Sequence, residues 1–493
     1  MTTEASTDVG EGAARGVLWL TAQKWLVRLS GLVTIAVLTR LLRPEDFGMV
    51  AAASTLLPLL YLLADLGFAA YIVQVPATTP LMLSTGFWFS VSVGVALTGA
   101  LAAAAPVMAL PFGGGGVTDV IRALSVAITL TAASSVPVAL LRRRMQFRLL
   151  AAQGAAAALV AQAVAIALAL LGWGVWALVG QALSAQIVSC LLAWISARWV
   201  PSAAFSWPEF RTMASFGSQV LGVELVATIR AWAEAAVVSS VLGIAALGYL
   251  NVAQRLVQVV LDLTGSAIAP VTEVAFAKIR DSTPRLRDAY LRALGVTLAV
   301  LPPPLTVVAV AGPLLIPLLF SDAWAPSHPV AQVLALASIL AFVAFLDHGL
   351  FYGAGRPGRW FGYALAIDAL TLAVTVLLAP AGLLAVALGF LGVTVVATVV
   401  RWFLVGRLLD TPAPRLARPF GVMFLSVAAS GLAGLGVLRL TGAWTPLLSV
   451  VAVGGAVLLV HLGLVGLLAR PALAEVGRLG RRLVLAGRSR VPG

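Results

Sequence analysis

Runs of roughly twenty or more mostly apolar residues recur along the whole chain, separated by short links rich in arginine. A helix of about 20 such residues is what crosses the hydrocarbon core of a bilayer. About fourteen runs meet that length, from 16–39 and 47–70 through 213–242 and 247–275 to 419–440 and 446–469. No link between them has the length or composition of a soluble domain. Composition agrees: 61% of the 493 residues are hydrophobic and 10% are charged, where a soluble domain carries about 25% charged residues. The expected fold is an all-α polytopic membrane protein.

Charge gives the expected orientation. The chain has 32 Lys plus Arg against 19 Asp plus Glu, a formal net charge of +13. A nucleic-acid binder would gather such an excess on one face of a soluble domain; here it is dispersed in short links, so no nucleic-acid partner is expected. With the N-terminus placed in the cytoplasm, 24 Lys and Arg fall on the cytoplasmic side and four on the other. The cytoplasmic set includes "RRRMQFR" (142–148), the 278–292 stretch and the tail from Arg470. The positive-inside tendency therefore puts both termini in the cytoplasm. The polar, acidic start of the chain lacks the basic region of a signal peptide, so the first apolar run is expected to stay as a transmembrane helix. Cys190 stands alone and builds neither a disulfide nor a redox pair, and the three histidines are too scattered in sequence to suggest a metal site.

A weak internal repeat suggests how the helices are grouped. "VLTRLLRPEDFGMV" (37–50) and "VVSSVLGIAALGYL" (237–250), 200 residues apart, each read as a helix end, a break, and a glycine (Gly48, Gly248) opening the next helix. The offset pairs helices 1–2 with helices 7–8. The expected organisation is a cytoplasmic tail (1–15), an N-lobe of six helices (16–200), a cytoplasmic linker (201–212), a C-lobe of six helices (213–405), two appended helices (419–469) and a basic tail (470–493). Transporters commonly place their substrate between such halves.

The charges inside the apolar runs are the functional signal, because each costs about 2.5–3.5 kcal/mol at a helix centre on insertion scales. Helix 1 carries Lys24 and Arg28, helix 2 Asp65, and helix 7 Glu224, Arg230 and Glu234. Helix 8 carries Asn251, Arg255, Gln258 and Asp262 at spacings that form one stripe, opposite Val252, Leu256, Val260 and Leu263. Eight ionisable groups thus fall in the four helices matched by the repeat. They suggest a wet cleft whose cations (Lys24, Arg28, Arg230, Arg255) hold an anionic substrate, while Asp65, Glu224, Glu234, Asn251, Gln258 and Asp262 balance the charge or carry a coupling H+ or Na+. Two plainer readings stand beside this one. Arg230 and Glu234 neutralise each other, as do Arg255 and Asp262; and Lys24 and Arg28 snorkel to the interface. Asp347 and Asp368 either face the cavity or are paired, and "LPPPL" (301–305) marks a kink or hinge. No bound cofactor is required.

Four strings carry a resemblance: "LTRLLRPEDFGMVAAAS" (38–54), "LADLGFAAYIVQ" (63–74), "PVALLRRRMQFRLLA" (137–151) and the block from 216 to 256. In these the chain resembles the Wzx-type polysaccharide transporters of the multidrug/oligosaccharidyl-lipid/polysaccharide exporter superfamily. The resemblance covers the first 300 residues best. It implies a fourteen-helix, two-lobed fold working by alternating access. It also implies a flippase that is not an enzyme, whose substrate is a polyprenyl-pyrophosphate-linked oligosaccharide in the bacterial cytoplasmic membrane, for O-antigen, capsule or exopolysaccharide. Membrane lipids, a polysaccharide polymerase and a co-polymerase are the implied partners. A drug or metabolite exporter of the same superfamily is the alternative, and a membrane glycosyltransferase or polymerase a more remote one.

Overall fold

The computed structural model describes residues 30–75, 77–265, 276–277, 279–475 and 477–478, without the side chains of 216–224, 262–265 and 357. Among the described residues the secondary structure is entirely helical. In chain order the helices are α1 (Ser30–Leu41), α2 (Pro44–Ser54), α3 (Leu57–Asp65), α4 (Phe68–Gln74), α5 (Pro80–Met108), α6 (Gly116–Arg143), α7 (Phe147–Leu170), α8 (Val175–Ala197), α9 (Trp207–Leu242) and α10 (Ile244–Gly265). They continue as α11 (Thr283–Val300), α12 (Pro302–Leu319), α13 (Ser327–Ala341), α14 (Val343–Gly353), α15 (Pro357–Leu378), α16 (Leu383–Leu408), α17 (Ala413–Leu440) and α18 (Pro446–Leu468). Thirteen helical segments among the described residues are long and apolar enough to cross a membrane, and α1 is a shorter apolar helix within the first expected run. The fourteen-run reading of the sequence is thus matched where residues are described; parts of the first run and of the run 247–275 lie outside them.

Local chemistry sets the helix starts. Proline, which has no N–H to lose, stands in the first turn of α2, α5, α9 and α18. Thr79 accepts the Met82 N–H at 3.1 Å to cap α5, and Asp46 accepts the Arg43 N–H at 2.9 Å at the start of α2. Three spans are interrupted. The second is cut into α2, α3 and α4. Between α3 and α4 two consecutive residues, Leu66 (φ 48°) and Gly67 (φ 72°), adopt left-handed backbone. The predicted break at "LPPPL" separates α11 from α12 at Leu301, and Phe342 separates α13 from α14.

The chain divides into two compact units, Met1–Asn251 and Val252–Gly493. The first reaches past the 201–212 linker to take in α9 and the first two turns of α10. Within it α5 lies along α6, α7 along α8, and α6 also against α8. Water gives no hydrophobic push between helices in lipid, so close backbone approach matters more. The buried stripe of α7 is Ala157, Ala161, Ala165 and Ala169, spaced four apart. Phe68, Ile72, Phe87, Val136, Leu140 and Met213 form an apolar core at one end of this unit. In the second unit α12 packs on α13 and α18, α13 on α16, and α17 on α18.

The weak repeat has a structural counterpart. A Cβ on Gly48 would lie 2.1 Å from the Ile244 carbonyl oxygen, and a Cβ on Gly248 would lie 2.0 Å from that of Pro44. Residues 44 and 48 therefore meet 248 and 244 reciprocally, at the same 200-residue offset that the sequence shows. Only glycine allows two helix starts to approach this closely.

Candidate functional site

Lys24 and Arg28 lie outside the described residues, as do the side chains of Glu224 and Asp262. The remaining six expected site residues fall into three groups. On α9, Arg230 and Glu234 form an ion pair at 2.6 Å, with side-chain exposures of 28% and 12%. The i,i+4 neutralisation weighed from the sequence does form, and Arg230 keeps enough exposure to meet a ligand.

On α10 the expected two-faced helix is present. Arg255 and Gln258 are exposed and Asn251 is half-buried, whereas Val252, Ala253, Leu256 and Val257 are buried. Arg255 makes no ion pair with any described residue. A guanidinium with no ion-pair partner among the described residues is suited to a phosphate or carboxylate. Val260 is half-buried and Leu263 lies outside the described side chains.

The third group is Asp65, whose partners are neutral. Its carboxylate accepts a short hydrogen bond from the Ser135 hydroxyl on α6 and the Ala69 N–H at 3.2 Å. The bond to Ala69 is possible because the chain breaks after Asp65, which frees the first N–H groups of α4. One turn away, Tyr61 shares a hydrogen bond with Gln186 of α8, and Gln186 donates to Thr131 at 3.1 Å. Residues 61 and 65 of α3, one turn apart, thus engage α8 through Gln186 and α6 through Ser135.

Arg143 and Arg144, in the basic string 142–148, have specific structural work. Arg143 donates to the carbonyls of Ile72 (2.9 Å) and Val75, closing the end of α4. Arg144 donates to the Ala197 carbonyl at 2.8 Å, at the end of α8. Both satisfy carbonyls that a helix end leaves open. Arg142 and Arg148 remain exposed.

The second unit holds a network the sequence reading missed. Arg401, counted there among the cytoplasmic residues, is 3% exposed inside α16. Its Nε lies 2.9 Å from Asp347 Oδ2. Tyr290 donates to Asp347 Oδ1 at 2.5 Å. Arg401 also donates to Tyr363 (3.0 Å), the Leu340 carbonyl (3.0 Å) and Thr398 (2.9 Å). Asp347 is therefore paired and sealed, at 1% exposure. The available signal was one arginine seven residues before the end of a 26-residue apolar helix.

Comparison with known proteins agrees with this architecture. The fold is that of the multidrug/oligosaccharidyl-lipid/polysaccharide exporters. The structure of the lipid II flippase MurJ in an inward closed conformation superposes with a TM-score of 0.73 at 14% identity, covering 92% of this chain and 100% of that one. An inward-facing MATE-family multidrug transporter superposes at 0.63 and 17% identity, covering 80% and 97%. Residues 37–329 match the family described as "Polysaccharide biosynthesis protein", and the chain belongs to that family. Its relatives include the succinoglycan biosynthesis transport protein ExoT of Rhizobium meliloti (26% identical, covering 68% of this chain and 67% of the relative). Another is the lipopolysaccharide biosynthesis protein WzxC of Escherichia coli (23% identical, covering 80% of each).

Proposed function

We propose that this protein is a flippase. It carries a polyprenyl-pyrophosphate-linked oligosaccharide across the bacterial cytoplasmic membrane for surface polysaccharide synthesis. The observation that carries this reading is membership of the polysaccharide biosynthesis family in a chain whose fold coincides, over 92% of its length, with that of a lipid II flippase. The physical argument agrees. A pyrophosphate bearing sugars cannot enter hydrocarbon unaided, and a basic, hydrated helix face lowers that barrier while the polyprenyl tail stays in lipid. Arg255 is the open cation for the phosphates. Arg230, held by Glu234, is a second contact, and Asn251 and Gln258 meet sugar hydroxyls. Lys24 and Arg28 are further cations assigned to the substrate headgroup. Transport proceeds by alternating access, with the termini in the cytoplasm and H+ or Na+ as coupling ion. A polymerase and co-polymerase act on the delivered substrate.

The test is export. In a host lacking its own lipid-linked oligosaccharide flippase, the wild-type gene restores surface polysaccharide. Arg230→Ala and Arg255→Ala insert normally but abolish it. Normal export by both variants overturns the cationic face, and failure of the wild-type chain with several lipid-linked donors overturns the flippase reading.

A further inference from the structure

The coupling step in the proposed function leaves the ion and its site unassigned. We propose that Asp65 is a proton-binding site of the first unit, with Ser135 as its positioning residue, so that one proton is taken up and released at this carboxyl group in each transport cycle. The inference rests on the transport reading for its purpose but not for its geometry.

Three observations carry it. The first is the partner set. Asp65 touches one hydroxyl and one amide N–H and forms no ion pair with any described residue. A hydroxyl both donates and accepts. Ser135 can therefore donate to the carboxylate and, after proton uptake, accept from the carboxylic acid, so the contact survives in both states. The second is the backbone. Leu66, with its Cβ, holds a left-handed conformation at φ 48° directly after Asp65. Such backbone is strained for a residue with a Cβ and gathers at working sites. Broken helices at membrane depth are where transporters build ion sites. The third is access. Asp65 is partly exposed, so it is not sealed in the protein interior as Asp347 is.

Among the described residues the charged surroundings are sparse. α5 carries no ionisable side chain. On α6 the cations Arg142 and Arg143 lie seven and eight residues beyond Ser135, and Asp119 and Arg122 sit near the other end. Arg142 acts on Asp65 only through its field, and Arg143 is engaged with the carbonyls of Ile72 and Val75. Arg211, Arg230 and Glu234 on α9 make no contact with Asp65, and Tyr61 is engaged with Gln186. The Ala69 N–H pointing at the carboxylate argues for a proton over a metal cation, because a cation needs lone pairs where this group presents a hydrogen.

Infrared spectra of the purified full chain in lipid, recorded across pH, test this without any transport substrate. The expected result is a protonated-carboxyl C=O band that disappears as pH rises. It is absent in Asp65→Asn, displaced but still titrating in Asp65→Glu, and unchanged in Asp347→Asn. Ser135→Ala shifts both its frequency and its titration midpoint. If Asp65→Asn fails to fold, the displaced band of Asp65→Glu carries the assignment. Absence of any Asp65 band at every pH where the chain stays folded overturns the proposal. So does a band that vanishes when sodium replaces choline at constant pH, which would make Asp65 a sodium ligand. Either failure leaves the flippase reading standing, and loss of export in the Arg230 and Arg255 variants says nothing about this band.

Discussion

Asp65 and Asp347 are both carboxylates set in apolar helices, and the two units treat them in opposite ways. In the second unit Asp347 is closed off from solvent and bound to Arg401 and Tyr290. Arg401 has only donors, and every described contact it makes is with an acceptor. That arrangement holds one charge state and ties together α11, α13, α14, α15 and α16. In the first unit Asp65 sits beside a broken helix with a hydroxyl as its side-chain partner. No described residue forms an ion pair that would fix its charge. A buried acid alone is thus a poor guide to function; the chemistry of its partners separates a structural clamp from a working site.

The sharpest way to break that contrast is to unpair the clamp. Asp347→Ala leaves Arg401 buried and uncompensated, which costs about 3–5 kcal/mol. The expected outcome is a large drop in thermal stability and in the yield of folded protein. The double variant Asp347→Leu/Arg401→Met recovers most of it, since a well-packed apolar pair replaces a buried ion pair at little cost. Retention of full stability by Asp347→Ala alone would mean the network is not structural. Gly48→Ala and Gly248→Ala come next. Each added Cβ meets a carbonyl oxygen at close to 2 Å, and overpacking of this kind costs about 1–3 kcal/mol. Both variants should lose stability by similar amounts, because the contact is reciprocal. Asp65→Asn is expected to change stability by less than about 1.5 kcal/mol, the scale of one hydrogen bond, while export stops. A fall as large as that of Asp347→Ala would erase the distinction between the two acids. The smallest effect is on reactivity alone. In a Cys190→Ala background, cysteines at 255 and 258 should react with a water-borne thiol reagent while those at 252 and 256 stay protected. Equal reactivity at all four would remove the two-faced reading of α10.

Much of this was legible in the sequence, for identifiable reasons. The length and apolarity of each run dictate a spanning helix whatever its neighbours are. The glycine repeat was readable because two matching close approaches need the same residue at matching positions. The exposed stripe of α10 was readable because a helix with period 3.6 turns spacing into a face. The Arg230–Glu234 pair followed from the same rule. Asp65 drew attention as a charge in an apolar run. Ser135, 70 residues away, gave no such sign, since a serine in a membrane helix commonly bonds its own backbone. Arg401 was missed because its position near the end of α16 resembles that of a cytoplasmic anchor and gives no sign of the partners it meets.

By itself the sequence determined the all-helical membrane fold, its fourteen apolar runs and which helices hold charge, because lipid forces each span to satisfy its own backbone hydrogen bonds and penalises every ion within it. Only the tertiary structure decided what each charge means. Whether Asp65 meets a hydroxyl or Asp347 a guanidinium depends on which helix lies alongside and at what rotation. Those contacts join Asp65 to Ser135 and Asp347 to Arg401, far beyond the reach of any local pattern.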